Sequence, residues 1–529
     1  MRDFHLPGRS PVLTANGMCA TSHPLAAKVA VQILEDGGNA VDAAIAGAVL
    51  LGLCEPQMTG LGGDLFALIA PSQDAEVIAL NGSGRAPAAL SGDGLRARGM
   101  ASVPLHTADS VTLPGAVDAF CTLSETFGRL GLDHVLAPAI HYAEAGIPIA
   151  PRVAFDWAEA EATLARAPTA KSQEFYLSAG KAPRAGSLFR APGQAEVLRK
   201  VVQQGRRGFY EGEVAEDMVD TLRALGGTHT LEDFASVACT QTSAVTGAYK
   251  GLNIHEHPPN GQGATALLML NMLKHFDVAA MDPWGATRVH IEAEIAKLAY
   301  DARNRMIADA DYMTRLDHFL APETAAQLAA LIDPKRAMAS PAALSESVHK
   351  DTVYITVVDK DRMSVSLIYS IFHSFGSGLA TDKFGLLLQN RGAGFTLEPG
   401  HPNEAQGGKR PMHTIIPGML ERDGKITMPF GVMGGAYQPN GHARFVTSMV
   451  DHHMDAQTAI DGPRAFSDSG VLKVEKGYGD DVRAALSAMG HTVEIPHGPI
   501  GGAQAIEITE DGMLIGASDP RKDGCALGY

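Results

Sequence analysis

Thr352 stands at the head of Thr352-Val353-Tyr354-Ile355-Thr356-Val357-Val358, a β-branched and aromatic run that predicts a buried strand. A second strand, Met363 to Ser370, follows across the polar turn Asp359-Lys360-Asp361-Arg362. A threonine hydroxyl is a weak nucleophile while its base is distant. Cutting the bond before it changes that, because the released α-amine can itself take the hydroxyl proton. Such an amine has a reference pKa of about 7.7–8.0, so a useful fraction is unprotonated near neutral pH. One stretch then supplies nucleophile and base together. Taken alone, the same residue reads equally well as a plain β-former in a sheet, so its surroundings must decide.

The elements that would position it are legible in part. From His23 to Glu35, Ala27, Val29, Val31, Ile33 and Leu34 suggest an amphipathic helix stopped by Gly37-Gly38. Val41 to Cys54 is apolar nearly all round, which predicts a buried helix. The glycine-rich stretch Glu55 to Asp64 then leads into a strand, Leu65 to Ala70. A phosphate cradle would place the strand before the glycines, so this order argues for a structural turn. Residues 108–340 read as mostly helical, with Asp133 to Ala145, Pro192 to Gln204, Val214 to Leu225, Ala264 to His275 and Trp284 to Met306. Their alanine content and interspersed charge predict helices lying on the surface. His255 and His257 would share one face of a strand, a metal-like spacing with no third ligand in view. Solvated or core histidines are the plainer reading, for them and for His452-His453 in an expected helix. Pro322 to His349 reads as a linker.

Composition narrows the partners. The 529-residue chain carries 43 basic and 59 acidic residues, a net charge of −16, which argues against nucleic acid or an anionic membrane. Cys19, Cys54, Cys121, Cys239 and Cys525 are scattered and odd in number, so neither a disulfide framework nor a zinc site is expected. The N-terminus lacks the apolar core of a secretory signal, and Ala40 to Leu53 is too short to span a bilayer. A cytoplasmic protein is expected.

The run DTVYITVVDKD, then YSIFHSFGSGLA, LLLQNRGAGF, GKRPMHTIIPGM, GVMGGAYQPNG and GASDPRKDG, resembles the γ-glutamyltransferase (glutathione hydrolase) family of N-terminal-nucleophile (Ntn) hydrolases. The N-terminal half matches through SHPLAAKVAVQILEDGGNAVDAAIAGAVLLGLCEPQMTGLGGD, so the likeness covers nearly the whole chain in order. The resemblance implies an α+β fold, the four-layer αββα sandwich. It also implies a proprotein that cuts itself between Asp351 and Thr352. Residues 1–351 and 352–529 would then form an obligate heterodimer sharing one interleaved domain, with further dimerisation left open. No metal or cofactor is implied.

Carried over position by position, Thr352 matches the nucleophile and Ser370 a threonine whose hydroxyl hydrogen-bonds it. Gly434-Gly435 match the pair whose N–H groups form the oxyanion hole. The substrate pocket departs from the family. Phe372 replaces an asparagine, Arg391 a glutamine, and Gly394 the aspartate that pairs with the substrate ammonium. His413-Thr414 replace two serines that contact the α-carboxylate, and residues 392–411 form a shortened lid loop. The family arginine that holds this carboxylate aligns with Ser83. Arg85, two residues on, reads either as its replacement or as a structural ion-pair partner.

Losing the aspartate leaves a buried substrate ammonium unpaired, which costs several kcal/mol. Arg391 favours a carboxylate, since a guanidinium grips one through two parallel hydrogen bonds. Phe372 fills volume that a glutamyl chain needs. The pocket therefore suits a small amide bearing a carboxylate and no α-amine, and this pattern resembles the oxamate amidohydrolase branch, which releases oxalate and ammonia late in purine-ring breakdown. Two alternatives stand beside it: a γ-glutamyl hydrolase or transpeptidase acting on glutathione-like substrates, and an unprocessed, non-catalytic binding protein.

Overall fold

The computed structural model describes residue 5, residues 8–339 and residues 352–529. Asp351, and the rest of the expected linker from residue 340, lie outside the described residues. Two seven-stranded antiparallel sheets form the centre. The first runs, in spatial order, Cys525–Gly528, Met18–Thr21, Val353–Val358, Ser364–Ser370, Asp64–Ala70, Ile78–Gly82 and Thr240–Ser243. The second runs Val12–Thr14, Leu514–Ser518, Gly502–Ile508, Lys425–Met433, Pro417–Arg422, Leu252–Glu256 and Val245–Tyr249. Each sheet takes strands from both sides of the 351–352 bond, so neither segment could bury its strands without the other.

Alternation along each strand decides which residues face what. Val353, Ile355, Leu367, Tyr369, Leu65 and Ala67 turn outward onto the helices Pro24–Glu35 and Ala40–Cys54. Tyr354, Ile368 and Phe66 turn inward and meet Ile415 and Met433 from the second sheet. On the far side of that sheet lie the helices Gly263–Leu273, Ala286–Met306 and Gln438–Val450. Helix, sheet, sheet, helix is the αββα sandwich. The fold is α+β.

Apart from the helix expected at His452-His453, the expected helices and strands form, with ends within two residues of those read from the sequence. His23 becomes the N-cap of the first helix, its Nδ1 accepting from Leu25 N at 3.2 Å. The helix Ala40–Cys54 is buried all round, as its composition requires, and opens with an Asn39–Asp42 capping box.

Three expectations change. Gly263–Leu273 and Ala286–Met306 are core helices, not surface ones. The first is mostly apolar and is enclosed by a sheet and four helices. Four charges of the second are buried as pairs: Arg288 with Glu292, which also holds Arg444, and Lys297 with Glu294. Interspersed charge thus marks internal pairing here, where burial demands a partner for every ion. His452 and His453 follow the helix that ends at Val450, with His453 at φ 52°. Within the expected linker, Pro322–Ala329 is helical and packs on Gly263–Leu273.

Candidate active site

The register of the first sheet builds the site. Val353 pairs with Tyr369, Ser370 with Asp64, and Leu65 with Gly82. Extending each pairing by one residue sets Thr352 opposite Ser370 and Ser83 opposite Asp64. Directly opposed residues in antiparallel strands point to one face, about 5 Å apart. Thr352, Ser370, Asp64 and Ser83 therefore form a row across four strands, on the face that looks into the gap between the sheets. Thr352 is 1 % exposed, and its Oγ1 donates to Ser370 Oγ at 3.5 Å. Ser370 Oγ also accepts from Phe372 N at 2.9 Å.

Across the gap, Met433 ends its strand packed against Tyr354 and Ile368, and Gly434-Gly435 follow at once. Their φ values of 124° and 56° suit glycine, and a Cβ on Gly434 would meet Gly501 Cα at 3.1 Å. Gln262 ties this corner to the next segment: its Nε2 donates to Gly435 O at 3.0 Å and to Thr414 O at 2.6 Å. Arg303 Nη1 donates to Gln262 Oε1 at 2.7 Å and orients the amide.

Arg391 is fully buried on a short 3-10 turn, Arg391–Gly394. Its Nη1 donates to Thr414 Oγ1 at 2.9 Å, and its Cζ lies 4.0 Å from the centre of the Phe372 ring. Phe372 thus does more than fill volume: it is a platform for the guanidinium. It does so at φ 78°, a strained value for a bulky residue that the Ser370 contact helps to hold. A cavity of about 520 Å³ adjoins this turn, lined among others by His373, Gly394, Phe395, Met412 and Arg303.

His413 turns to Asp64 at the base of the row. Its Nδ1 accepts from Ile415 N at 3.3 Å, so the proton sits on Nε2 and is donated to Asp64 Oδ2 at 3.1 Å. Burial, with Arg391 nearby, holds the imidazole well below its ordinary pKa, so it is neutral. Burial pushes Asp64 up to about 6, opposed by the Arg391 charge and by donors from Gln389 and Gly84.

Arg85 turns elsewhere. Its Nη1 pairs with Asp309 Oδ2 at 3.1 Å and donates to Gly408 O at 2.9 Å, beside a surface cavity of about 310 Å³. Of its two readings, this geometry is the structural ion pair. His255 and His257 also have separate partners: His255 contacts Thr246 and Glu421, and His257 stacks 3.9 Å from Phe66. The cluster with ligand-like spacing among the described residues is a different one, His290, Glu294 and His491. There Lys297 Nζ sits on Glu294 at 2.6 Å, and His290 and His491 hydrogen-bond each other at 2.8 Å, so an ammonium already serves as the cation.

A model of the Gamma-glutamyltranspeptidase family matches residues 26–529. The chain belongs to that family. It is 34% identical to the glutathione hydrolase-like YwrD proenzyme of Bacillus subtilis, over 98% of this chain and 99% of that one. Identity to the oxamate amidohydrolase proenzyme of Klebsiella pneumoniae is also 34%, with coverages of 98% and 99%. The solved cephalosporin acylase of Bacillus halodurans superposes with a TM-score of 0.92 at 34% identity, over 100% of this chain and 99% of that one. The protein is accordingly an Ntn-hydrolase-type amidohydrolase of this family, and the reading as a non-catalytic binding protein falls away. No described helix is long and apolar enough to cross a membrane.

Two groups at the site escaped the sequence reading. Asp64 carried a signal: a carboxylate opening an otherwise apolar strand, Leu65 to Ala70, must find a buried partner. Gln262 carried none. Its task depends on a segment about 150 residues away. If Ser370 positions the nucleophile, Ser370→Ala should slow turnover about tenfold, the worth of one neutral hydrogen bond. Ser370→Thr should keep the rate; kcat of both variants checks this.

Proposed function

We propose that the chain matures by cleavage at Asp351-Thr352 and then hydrolyses a small, carboxylate-bearing amide of the oxamate type through a Thr352 acyl-enzyme. The observation that carries this reading is a chain of contacts that joins the expected nucleophile to a buried cation. The Thr352 hydroxyl is hydrogen-bonded to Ser370, Ser370 Oγ accepts from Phe372 N, and the Phe372 ring lies against the buried Arg391, which Thr414 also holds.

In this reading Thr352 Oγ attacks the amide carbonyl and its proton passes to the Thr352 α-amine. The N–H groups of Gly434 and Gly435 hold the developing oxyanion. The α-ammonium then protonates the leaving nitrogen, ammonia departs, and water attacks the ester to release the diacid. Arg391, with Thr414, holds the substrate carboxylate, while His413 supports the base of the pocket through Asp64. The similarity to a Klebsiella oxamate amidohydrolase proenzyme supports the substrate class. Equal identity to a glutathione hydrolase-like proenzyme keeps γ-glutamyl hydrolysis as the second reading. The cysteines, none paired in a disulfide, support a cytoplasmic setting.

A denaturing gel and N-terminal sequencing test maturation: two bands are expected, the smaller beginning Thr-Val-Tyr-Ile. Ammonia release from oxamate, set against cleavage of a chromogenic γ-glutamyl anilide, tests the substrate. Faster turnover of the anilide would overturn the oxamate-type assignment.

A further inference from the structure

Gln262 is fully buried at the N-cap of the helix Gly263–Leu273, and its amide joins two segments that the second sheet leaves apart. The ladder between the strands Pro417–Arg422 and Lys425–Met433 ends at the pair Pro417 and Gly431. Side chains take the next two amides: Ile416 N donates to Gln438 Oε1 at 2.8 Å, and Val432 N donates to His442 Nε2 at 3.3 Å. Extending the register sets Thr414 level with Gly434. There Gln262 Nε2 stands in for a rung, donating to Thr414 O at 2.6 Å and to Gly435 O at 3.0 Å. Its orientation is fixed. A guanidinium only donates, so Arg303 Nη1, at 2.7 Å, keeps Oε1 on its own side and turns both N–H groups to the carbonyls.

The carbonyls beside Gly435 O are held too. Gly434 O accepts from Tyr437 N at 3.1 Å, and the Tyr300 hydroxyl donates to Ala436 O. In a trans peptide the N–H points opposite to the C=O, so anchoring Gly434 O also aims the Gly435 N–H. Glycines at φ 124° and 56° have no side chain to give that restraint themselves. At the other end of the bridge, Thr414 Oγ1 accepts from Arg391 Nη1 at 2.9 Å. His413 N donates to Asn260 O at 2.8 Å, which keeps residues 260–262 alongside 413–414.

We propose that Gln262 is a positioning residue that fixes the distance from the oxyanion hole to the carboxylate-holding side of the site, and so selects substrates by the number of carbons between carboxylate and scissile carbonyl. The inference rests on the reading in which Gly434 and Gly435 hold the oxyanion while Arg391 and Thr414 hold the carboxylate. Two carbonyls bound to one amide nitrogen cannot move apart independently. Oxamate, whose carboxylate is bonded directly to the amide carbonyl, then engages both ends at once. A homologue with one more methylene fits one end at the expense of the other. Such a difference is worth about 10–200-fold in kcat/KM.

The test is steady-state kinetics of the matured enzyme on oxamate and on malonamate, its homologue longer by one methylene. The unaltered enzyme should prefer oxamate by at least about tenfold. Gln262→Glu keeps the length and the Arg303 contact but has no N–H to donate. It should lower kcat on oxamate by about 100-fold, the effect of displacing a reacting group by about 1 Å, and bring the two amides to nearly equal kcat/KM. Gln262→Asn keeps the amide but is too short to span both carbonyls. It should show the same convergence, and it carries the comparison if Gln262→Glu does not mature. Equal losses on both amides, with the preference retained, overturn the proposal, since that is what a purely structural role predicts. So does an unaltered enzyme without a preference, or failure of both variants to mature. Hydrolysis of neither amide by the matured enzyme overturns the substrate reading and this inference with it.

Discussion

Thr352→Ala is expected to leave the chain as one band on a denaturing gel and to abolish amide hydrolysis. Both losses have one cause. The hydroxyl that would attack the 351–352 bond is the one that would attack substrate, and the base for the second reaction is the amine that the first releases. Removing a catalytic nucleophile in comparable hydrolases lowers kcat by on the order of 10⁶, so residual activity should sit at the assay blank. Thr352→Ser separates the two roles of the side chain. It keeps the oxygen and drops only the methyl group, so it should still cleave itself and retain measurable turnover. Time courses of band splitting, with ammonia release on the same samples, check both. A Thr352→Ala protein that split normally would move the nucleophile elsewhere.

Arg391→Ala is expected to lower kcat/KM for a carboxylate-bearing amide by about 10²–10³-fold, with most of the change in KM. The estimate corresponds to losing one or two charge-assisted hydrogen bonds at about 1.5–3 kcal/mol each. The loss is compounded inside the pocket. Asp64 would remain buried without its compensating cation, and its already raised pKa would move further up. Arg391→Lys should recover only part of the activity, because an ammonium keeps the charge but cannot grip a carboxylate through two parallel bonds or lie flat on Phe372 in the same way. Steady-state kinetics on an amide with and without a carboxylate separate the pocket effect from general damage. Equal losses on both substrates would count against carboxylate recognition by Arg391.

Local pattern made several parts of this protein legible from residue order. Apolar runs marked the strands around Thr352 and the buried helix Ala40–Cys54, because period and composition act within a few residues. Ser370 was named by the family resemblance alone, and the strand register then sets it opposite Thr352. The long motifs placed the chain in its family before any geometry was considered. Pattern failed where charge was buried. Ala286–Met306 looked like a solvated helix, yet its ions are paired internally with Glu292, Glu294 and Arg444.

The sequence by itself thus determined the family and, through it, the fold class, and it named the nucleophile candidate and the residues proposed for a carboxylate pocket. Only the tertiary structure decided who their partners are. Asp64 meets His413 across 349 residues of chain and Gln389 across 325, and Arg85, close to Ser83 in sequence, leaves for Asp309. Periodicity records how a short segment buries one face; it holds no record of which distant segment arrives there. A buried ion must be matched by whatever donors the assembled sheets bring near it, and that match exists only after the two sheets close.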